Sequence, residues 1–208
     1  KLKVDCIYRR LDDTFMDPKA FFKGSLIGVP GLFKAWRKGN VGILNAPGTG
    51  IADDKAIYSY VDKMIVYYLG EQPKIQQVET LLCSEKIHRE HVIENISKFV
   101  VKPTNGSGGN GILIGPHASK KNREEMKKNI LKNPRNYIAQ PLEILSTTPT
   151  ITEKSIEPRH LDLRPFVLSG KSTWVTTGGL TRVALKKGST IVNSSQGGGS
   201  KDTMIIDM

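Results

Sequence analysis

The period of apolar and polar positions changes several times along the chain, and each change marks an element. Residues 4–8 (V-D-C-I-Y) are a short β-type run ending in Arg9-Arg10-Leu11-Asp12-Asp13, a cluster of arginines and carboxylates at a strand end, with turns at D-P-K and G-S beyond it. V-P-G-L-F-K-A-W-R-K-G predicts a short helix closed by Gly39, and N-V-G-I-L-N-A-P-G-T-G an apolar strand running into a glycine-rich turn. After Asp53-Asp54-Lys55, the residues Ile57, Tyr60, Val61, Met64, Ile65 and Tyr68 recur at helical spacing, so this segment predicts one amphipathic helix. Strand, glycine turn and helix together make an α/β unit whose turn is suited to meet a ligand at the sheet edge.

From Ser84 a second helix (E-K-I-H-R-E-H-V-I-E-N-I) leads to the strand F-V-V-K-P. A glycine loop, a short return strand, a very polar helix through Lys132 and the strand Y-I-A-Q-P follow. The last third reads differently. H-L-D-L-R-P-F-V-L-S-G-K, S-T-W-V-T-T-G-G-L-T-R-V-A-L-K-K-G and S-T-I-V-N-S-S predict antiparallel strands joined by glycine turns. The expected class is α+β in three segments: a substrate-side α/β segment over 1–83, a strand–glycine loop–strand lid subdomain over 84–141, and an antiparallel sheet over 142–208.

The stretch V-V-K-P-T-N-G-S-G-G-N-G-I-L-I-G at 100–115 contains G-x-G-x-x-G. A dinucleotide fingerprint needs a helix directly after the glycines, and Ile112-Leu113-Ile114-Gly115-Pro116 leaves no room for one. What remains is strand, glycine loop, strand. Such a loop can lay backbone N–H groups over a triphosphate, because glycine permits close approach and positive φ. Gly106, Ser107, Gly108, Gly109 and Gly111 form the cradle in this reading, and Lys102 places a cation beside the phosphates. Ile138-Ala139-Gln140 offers backbone groups to an adenine edge. The alternative is an exposed hairpin with a solvated lysine. Three other motifs carry less: S-G-K-S at 169–172 lacks the first P-loop glycine and reads as a hairpin turn, His88 and His91 read as a solvated helix face, and the glycines at 197–199 as a mobile tip.

Composition narrows the classes. With 38% hydrophobic and 25% charged residues, the 208-residue chain is globular rather than disordered. No run reaches the roughly 20 apolar residues of a membrane span, and the N-terminus shows no signal peptide, so no membrane partner and a cytoplasmic location are expected. Cys6 and Cys83 stand in apolar contexts without a C-x-x-C pair and read as reduced, buried thiols. The formal net charge of +11 suggests an anionic partner. The cations are scattered and lack interleaved aromatics, which argues for small phosphorylated molecules and against nucleic acid.

Across nearly the whole chain these motifs resemble the circularly permuted ATP-grasp enzymes, in particular proteins labelled glutathionylspermidine-synthase-like. The matching stretches are V-D-C-I-Y-R-R-L-D-D, G-N-V-G-I-L-N-A-P-G-T-G-I-A-D-D-K-A, V-V-K-P-T-N-G-S-G-G-N-G, N-P-R-N-Y-I-A-Q-P, H-L-D-L-R-P-F-V and G-G-L-T-R-V-A. The resemblance implies a ligase that phosphorylates a small-molecule or peptide carboxylate with ATP and Mg²⁺, then lets an amine attack the acylphosphate. It points to Lys55 and Lys102 as the lysines on ATP. Because negative charge builds on the transferred phosphoryl group, Arg164 and Arg182 are the expected stabilisers. Asp162, on the strand face of Arg164, either pairs with that arginine or helps hold metal, with Asn193 as a further donor. Arg9, Arg10, Asp12 and Asp13 are expected either to meet the substrate's carboxylate or amine, or to form a plain surface ion cluster. The family's acidic-x-Asn metal pattern is missing, so the main ligands are expected upstream, in a longer enzyme of which this is the C-terminal portion. The competing reading is a nucleotide- or anion-binding module that has kept the fold without the chemistry.

Overall fold

The structure is a computed structural model, and it describes residues 2–106, 109–153, 155–194 and 197–206. The expected Ser107 and Gly108 lie outside the described residues. The chain divides into two compact units, Lys1–Gly106 with Gly111–Pro141, and Ser107–Asn110 with Leu142–Met208.

In the first unit the elements run β1 (Cys6–Tyr8), α1 (Asp13–Met16), α2 (Leu32–Arg37), β2 (Gly42–Leu44), α3 (Lys55–Tyr58), α4 (Val61–Leu69), β3 (Leu81–Leu82), α5 (Lys86–Glu94), β4 (Phe99–Pro103), β5 (Leu113–Ile114), α6 (Lys120–Lys132) and β6 (Tyr137–Pro141). β1 and β2 form a parallel pair, with Cys6 opposite Gly42. The other four strands form an antiparallel sheet in the order β3-β6-β4-β5.

The two faces of that sheet differ because successive side chains alternate. Leu81, Phe99, Val101, Leu113 and Ala139 share one face and pack with Val92 of α5 and Ile130 of α6 into the main core. Each fully buried side chain of this size contributes about 1.5–3 kcal/mol. Helix α6 is mostly polar, with Leu131 exposed; it docks through Ile130 and, one turn earlier, Met126, and starts where the Ser119 hydroxyl accepts the Asn122 N–H at 3.2 Å. The opposite face carries Val100, Lys102, Ile138 and Gln140 by register; Ala56, Leu82 and Ile138 form a smaller cluster there, and Val100 and Gln140 are buried as well.

Three local readings are corrected. The single helix expected after Lys55 is two, because the Ser59 hydroxyl bonds the Ala56 carbonyl at 2.8 Å and Tyr60 N–H turns to Ile57 instead. Cys83 is buried, as expected, but Cys6 is exposed. Among the described residues 189–194 of S-T-I-V-N-S-S no strand forms: Ser189 Oγ accepts the Ile191 N–H at 3.1 Å, and Gly198 N–H closes a turn on the Asn193 carbonyl.

The second unit is a meander of β7 (Thr147–Ile151), β8 (Ile156–Ser169), β9 (Thr173–Val183) and β10 (Gly199–Lys201), in spatial order β10-β9-β8-β7. The S-G-K-S segment is the turn between β8 and β9, and the register shifts between Pro165 and Val167. Among the described residues no helix is long and apolar enough to cross a membrane.

Candidate functional site

Lys102, on the second face of the first unit's sheet, lies near Lys55. Lys102 stands near the end of β4, and its Nζ donates to Gln140 Oε1 at 2.6 Å. Gln140 Nε2 in turn donates to Thr80 Oγ1 at 2.8 Å, and Thr80 Oγ1 donates to the Val78 carbonyl at 3.0 Å. Burial and the nearby Lys55 ammonium hold the Lys102 pKa below the usual lysine value.

Lys55 opens α3, and its position follows from three anchors. Its own N–H donates to the Thr104 carbonyl at 2.7 Å, beyond the end of β4. The preceding Asp54 accepts the Ala56 N–H at 2.8 Å as helix cap, and its other oxygen takes Arg135 at 3.1 Å. Lys55 Nζ then reaches the Gly106 carbonyl at 2.9 Å, at the mouth of the glycine loop. Among the described residues neither Lys55 nor Lys102 has a carboxylate within ion-pair distance. Gly106, Gly109 and Gly111 all adopt positive φ, at 97°, 85° and 72°, which a side chain would strain. Two neighbouring cations with no carboxylate partner among the described residues, beside the left-handed Gly106 and Gly111, make a place where an anion is stabilised.

In the second unit Asp162 on β8 faces Arg182 on β9 across the register. Arg182 Nε donates to Asp162 Oδ1 at 2.8 Å, Nη2 donates to the other carboxylate oxygen, and Nη1 donates to Asn193 Oδ1. This fork geometry raises the Arg182 pKa, chiefly through the Asp162 hydrogen bond. Asp162 therefore pairs with Arg182 rather than Arg164. Arg164 is exposed on the same strand face, opposite Leu180.

The arginine–carboxylate cluster of the N-terminal segment is largely self-satisfied. Arg9 donates to the carbonyls of Asn45 at 2.7 Å, Leu11 at 2.5 Å and Ala46 at 2.9 Å, and pairs with Asp13 at 2.5 Å. Asp13 also accepts the Gly48 N–H at 2.9 Å, and Asp12 caps α1 through the Thr14 N–H at 2.8 Å. The cluster ties the glycine turn after β2 to α1, leaving Arg10 exposed.

Sequence reasoning marked Asp54 only as part of a helix start, and passed over its partner Arg135, Thr80 and the buried role of Asp17. Asp17, read as a turn residue, is 1% exposed and accepts N–H groups of Lys19, Gly31 and Phe33 at 2.8, 3.0 and 3.0 Å. Only the Asp54-Lys55 pair carried a legible signal, an acidic cap ahead of an apolar helical stripe; the others depend on contacts distant in sequence.

Residues 1–184 match the circularly permuted ATP-grasp type 2 family. The chain belongs to that family. It is 53% identical over 98% of its length to an uncharacterised protein of Synechocystis sp., covering 43% of that protein, and 51% identical over 98% to an uncharacterised protein of Mycobacterium tuberculosis, covering 37%. A Frankia casuarinae protein named "Putative glutamate--cysteine ligase 2-2" is 47% identical over 99% of this chain, which covers 24% of it. The chain thus spans less than half the length of these relatives.

ATP-grasp proteins generally bind ATP with Mg²⁺. Among the described residues no three His, Cys, Asp or Glu side chains gather as a metal cluster. Both Asp162 oxygens and the Asn193 amide oxygen accept hydrogen bonds from Arg182, so the described contacts of this trio are those of a guanidinium.

Proposed function

We propose that this chain is the nucleotide-binding part of an ATP-dependent carboxylate–amine ligase of the glutathionylspermidine-synthase-like kind. The carrying observation is the pair of neighbouring ammonium groups, Lys55 and Lys102, beside the start of the glycine loop. Each matches a lysine expected on the phosphates of ATP. Family membership and the ligase name of one relative support the reaction class.

In this reading Lys55, Lys102 and the amides of the Gly106–Gly111 loop bind the triphosphate, and Gln140 steadies Lys102. Arg182, oriented by Asp162, and Arg164 take up charge developing on the transferred phosphoryl group; positioning and charge stabilisation are most of what phosphoryl transfer asks of a protein. The carboxylate so activated forms an acylphosphate, which an amine attacks with release of phosphate. Arg10 is the exposed cation of the N-terminal cluster available to a substrate carboxylate. A non-catalytic nucleotide-binding module is the second reading, favoured by the engagement of Asp162 and Asn193 with Arg182.

Calorimetry with a non-hydrolysable ATP analogue tests the binding step. Lys55→Ala and Lys102→Ala each remove a charge-assisted contact of about 1.5–3 kcal/mol, so affinity should fall about tenfold or more. Wild-type affinity in both variants would refute the assignment. In the longer enzyme, release of ADP that depends on a carboxylate and an amine separates ligase from module.

A further inference from the structure

The hydrogen bonds from Lys102 to Val78 can be assigned in only one direction. A lysine ammonium only donates, so the Gln140 atom facing it must be the carbonyl oxygen. The amide nitrogen then faces Thr80 and donates, so Thr80 Oγ1 must accept there and place its own proton elsewhere. The Val78 carbonyl, 3.0 Å away, only accepts and takes that proton. Every member of the chain is thereby fixed by the two ends. Gln140 is 8% exposed, so water cannot readily replace a lost partner.

From this directed chain we infer that Thr80 is a positioning residue for the nucleotide site, acting through the Gln140 amide to hold the Lys102 ammonium at one place on the sheet face. The inference rests on the proposed role of Lys102 and names a residue which that role does not require. A hydroxyl is what the position needs, since it accepts from Gln140 and donates to Val78 at once. Valine has the same shape and neither capacity. In a Thr80→Val variant the Gln140 Nε2 group would face a methyl, and the amide would turn to another acceptor and withdraw its oxygen from Lys102. One N–H of Lys102 is spent on Gln140, and fixing that one aims the remaining two.

The test uses the 208-residue chain in four variants: Thr80→Val, Thr80→Ser, Lys102→Ala, and the Thr80→Val/Lys102→Ala double. Calorimetry with the non-hydrolysable ATP analogue should show Thr80→Val weakened about fivefold to tenfold and Thr80→Ser within about twofold of wild type. The double variant should match Lys102→Ala alone, because Thr80 acts only through that lysine. A second readout needs no nucleotide: the pH dependence of Lys102 acylation by acetic anhydride, followed by mass spectrometry. Losing the Gln140 acceptor disfavours the charged form, so the apparent pKa of Lys102 should fall in Thr80→Val and return in Thr80→Ser. An unshifted acylation profile in Thr80→Val overturns the inference, as does full additivity in the double variant. If Lys102→Ala binds the analogue normally while the acylation profile shifts as expected, the nucleotide assignment fails and the positioning of Lys102 by Thr80 stands.

Discussion

At the scale of single residues, Asp17 shows how one buried carboxylate can organise a segment with no other acid in it. Between Asp17 and Asp53 the chain contains no Asp or Glu, and Asp17 caps the start of α2 through the Gly31 and Phe33 amides while closing its own turn through Lys19. Burial alone would raise its pKa; the three backbone hydrogen bonds outweigh that and hold it below the ordinary carboxylate value. The sign follows: with the folded pKa depressed, Asp17 stabilises the native state fully above an unfolded value of about 4 and loses that contribution as pH falls through its folded pKa. Asp17→Asn keeps the shape and removes the charge, and should cost about 1.5–3 kcal/mol at pH 7. Urea unfolding at several pH values should show the gap between wild type and variant narrowing below about pH 4. A gap independent of pH there would mean the carboxylate charge is not what holds the turn.

At the scale of elements, Gly115 fixes how the turn after β5 seats against β4. A Cβ at this position would lie 2.0 Å from the Ile96 carbonyl oxygen and 2.5 Å from that of Phe99, both backbone atoms that cannot rotate aside. Gly115→Ala should therefore destabilise by about 3 kcal/mol, the upper part of the range for overpacking. Gly170→Ala in the β8–β9 turn, where the nearest atom is 4.0 Å away, should stay within about 0.5 kcal/mol. Comparing the two urea midpoints checks both. Element scale is also where the sequence was most legible. The short apolar runs of F-V-V-K-P and Y-I-A-Q-P marked β4 and β6, because central strands buried on both faces read as continuous apolar stretches. Apolar patterning misled where short-range polar contacts outbid it: Ser59 ends α3 early, and Ser189 diverts an apolar run from the ladder. For the candidate site, the strand-end position before the glycine loop put forward Lys102, and the family resemblance with the chemistry it implies added Lys55 and Arg182. The partners Thr80 and Arg135 stayed hidden, because Thr80–Gln140 and Asp54–Arg135 join positions 60 and 81 apart in sequence, and one threonine or arginine carries no periodic signal.

At the scale of the whole molecule, the two polar constellations lie in separate units and differ in what they leave free. Lys55 and Lys102 in the first unit have no carboxylate partner among the described residues, so their charge is available to a ground-state ligand. Arg182 in the second is held by Asp162 and Asn193, so three of its five N–H groups are committed and its charge is largely balanced. A balanced, oriented guanidinium adds little to the binding of a resting triphosphate. It contributes where new negative charge appears, since its orientation is already fixed and costs no reorganisation during reaction. In the longer enzyme, Arg182→Ala is thus expected to leave the Kd of a non-hydrolysable ATP analogue within about threefold while slowing ADP release about 100-fold, whereas Lys102→Ala weakens the analogue about tenfold. Because removing Arg182 strands Asp162, Arg182→Lys serves as a companion that keeps a cation beside the carboxylate but loses the fork. It should unfold in urea near wild type and still release ADP at least tenfold more slowly. Equal losses of analogue affinity in Arg182→Ala and Lys102→Ala would place both side chains on the bound nucleotide and remove the division between binding and turnover.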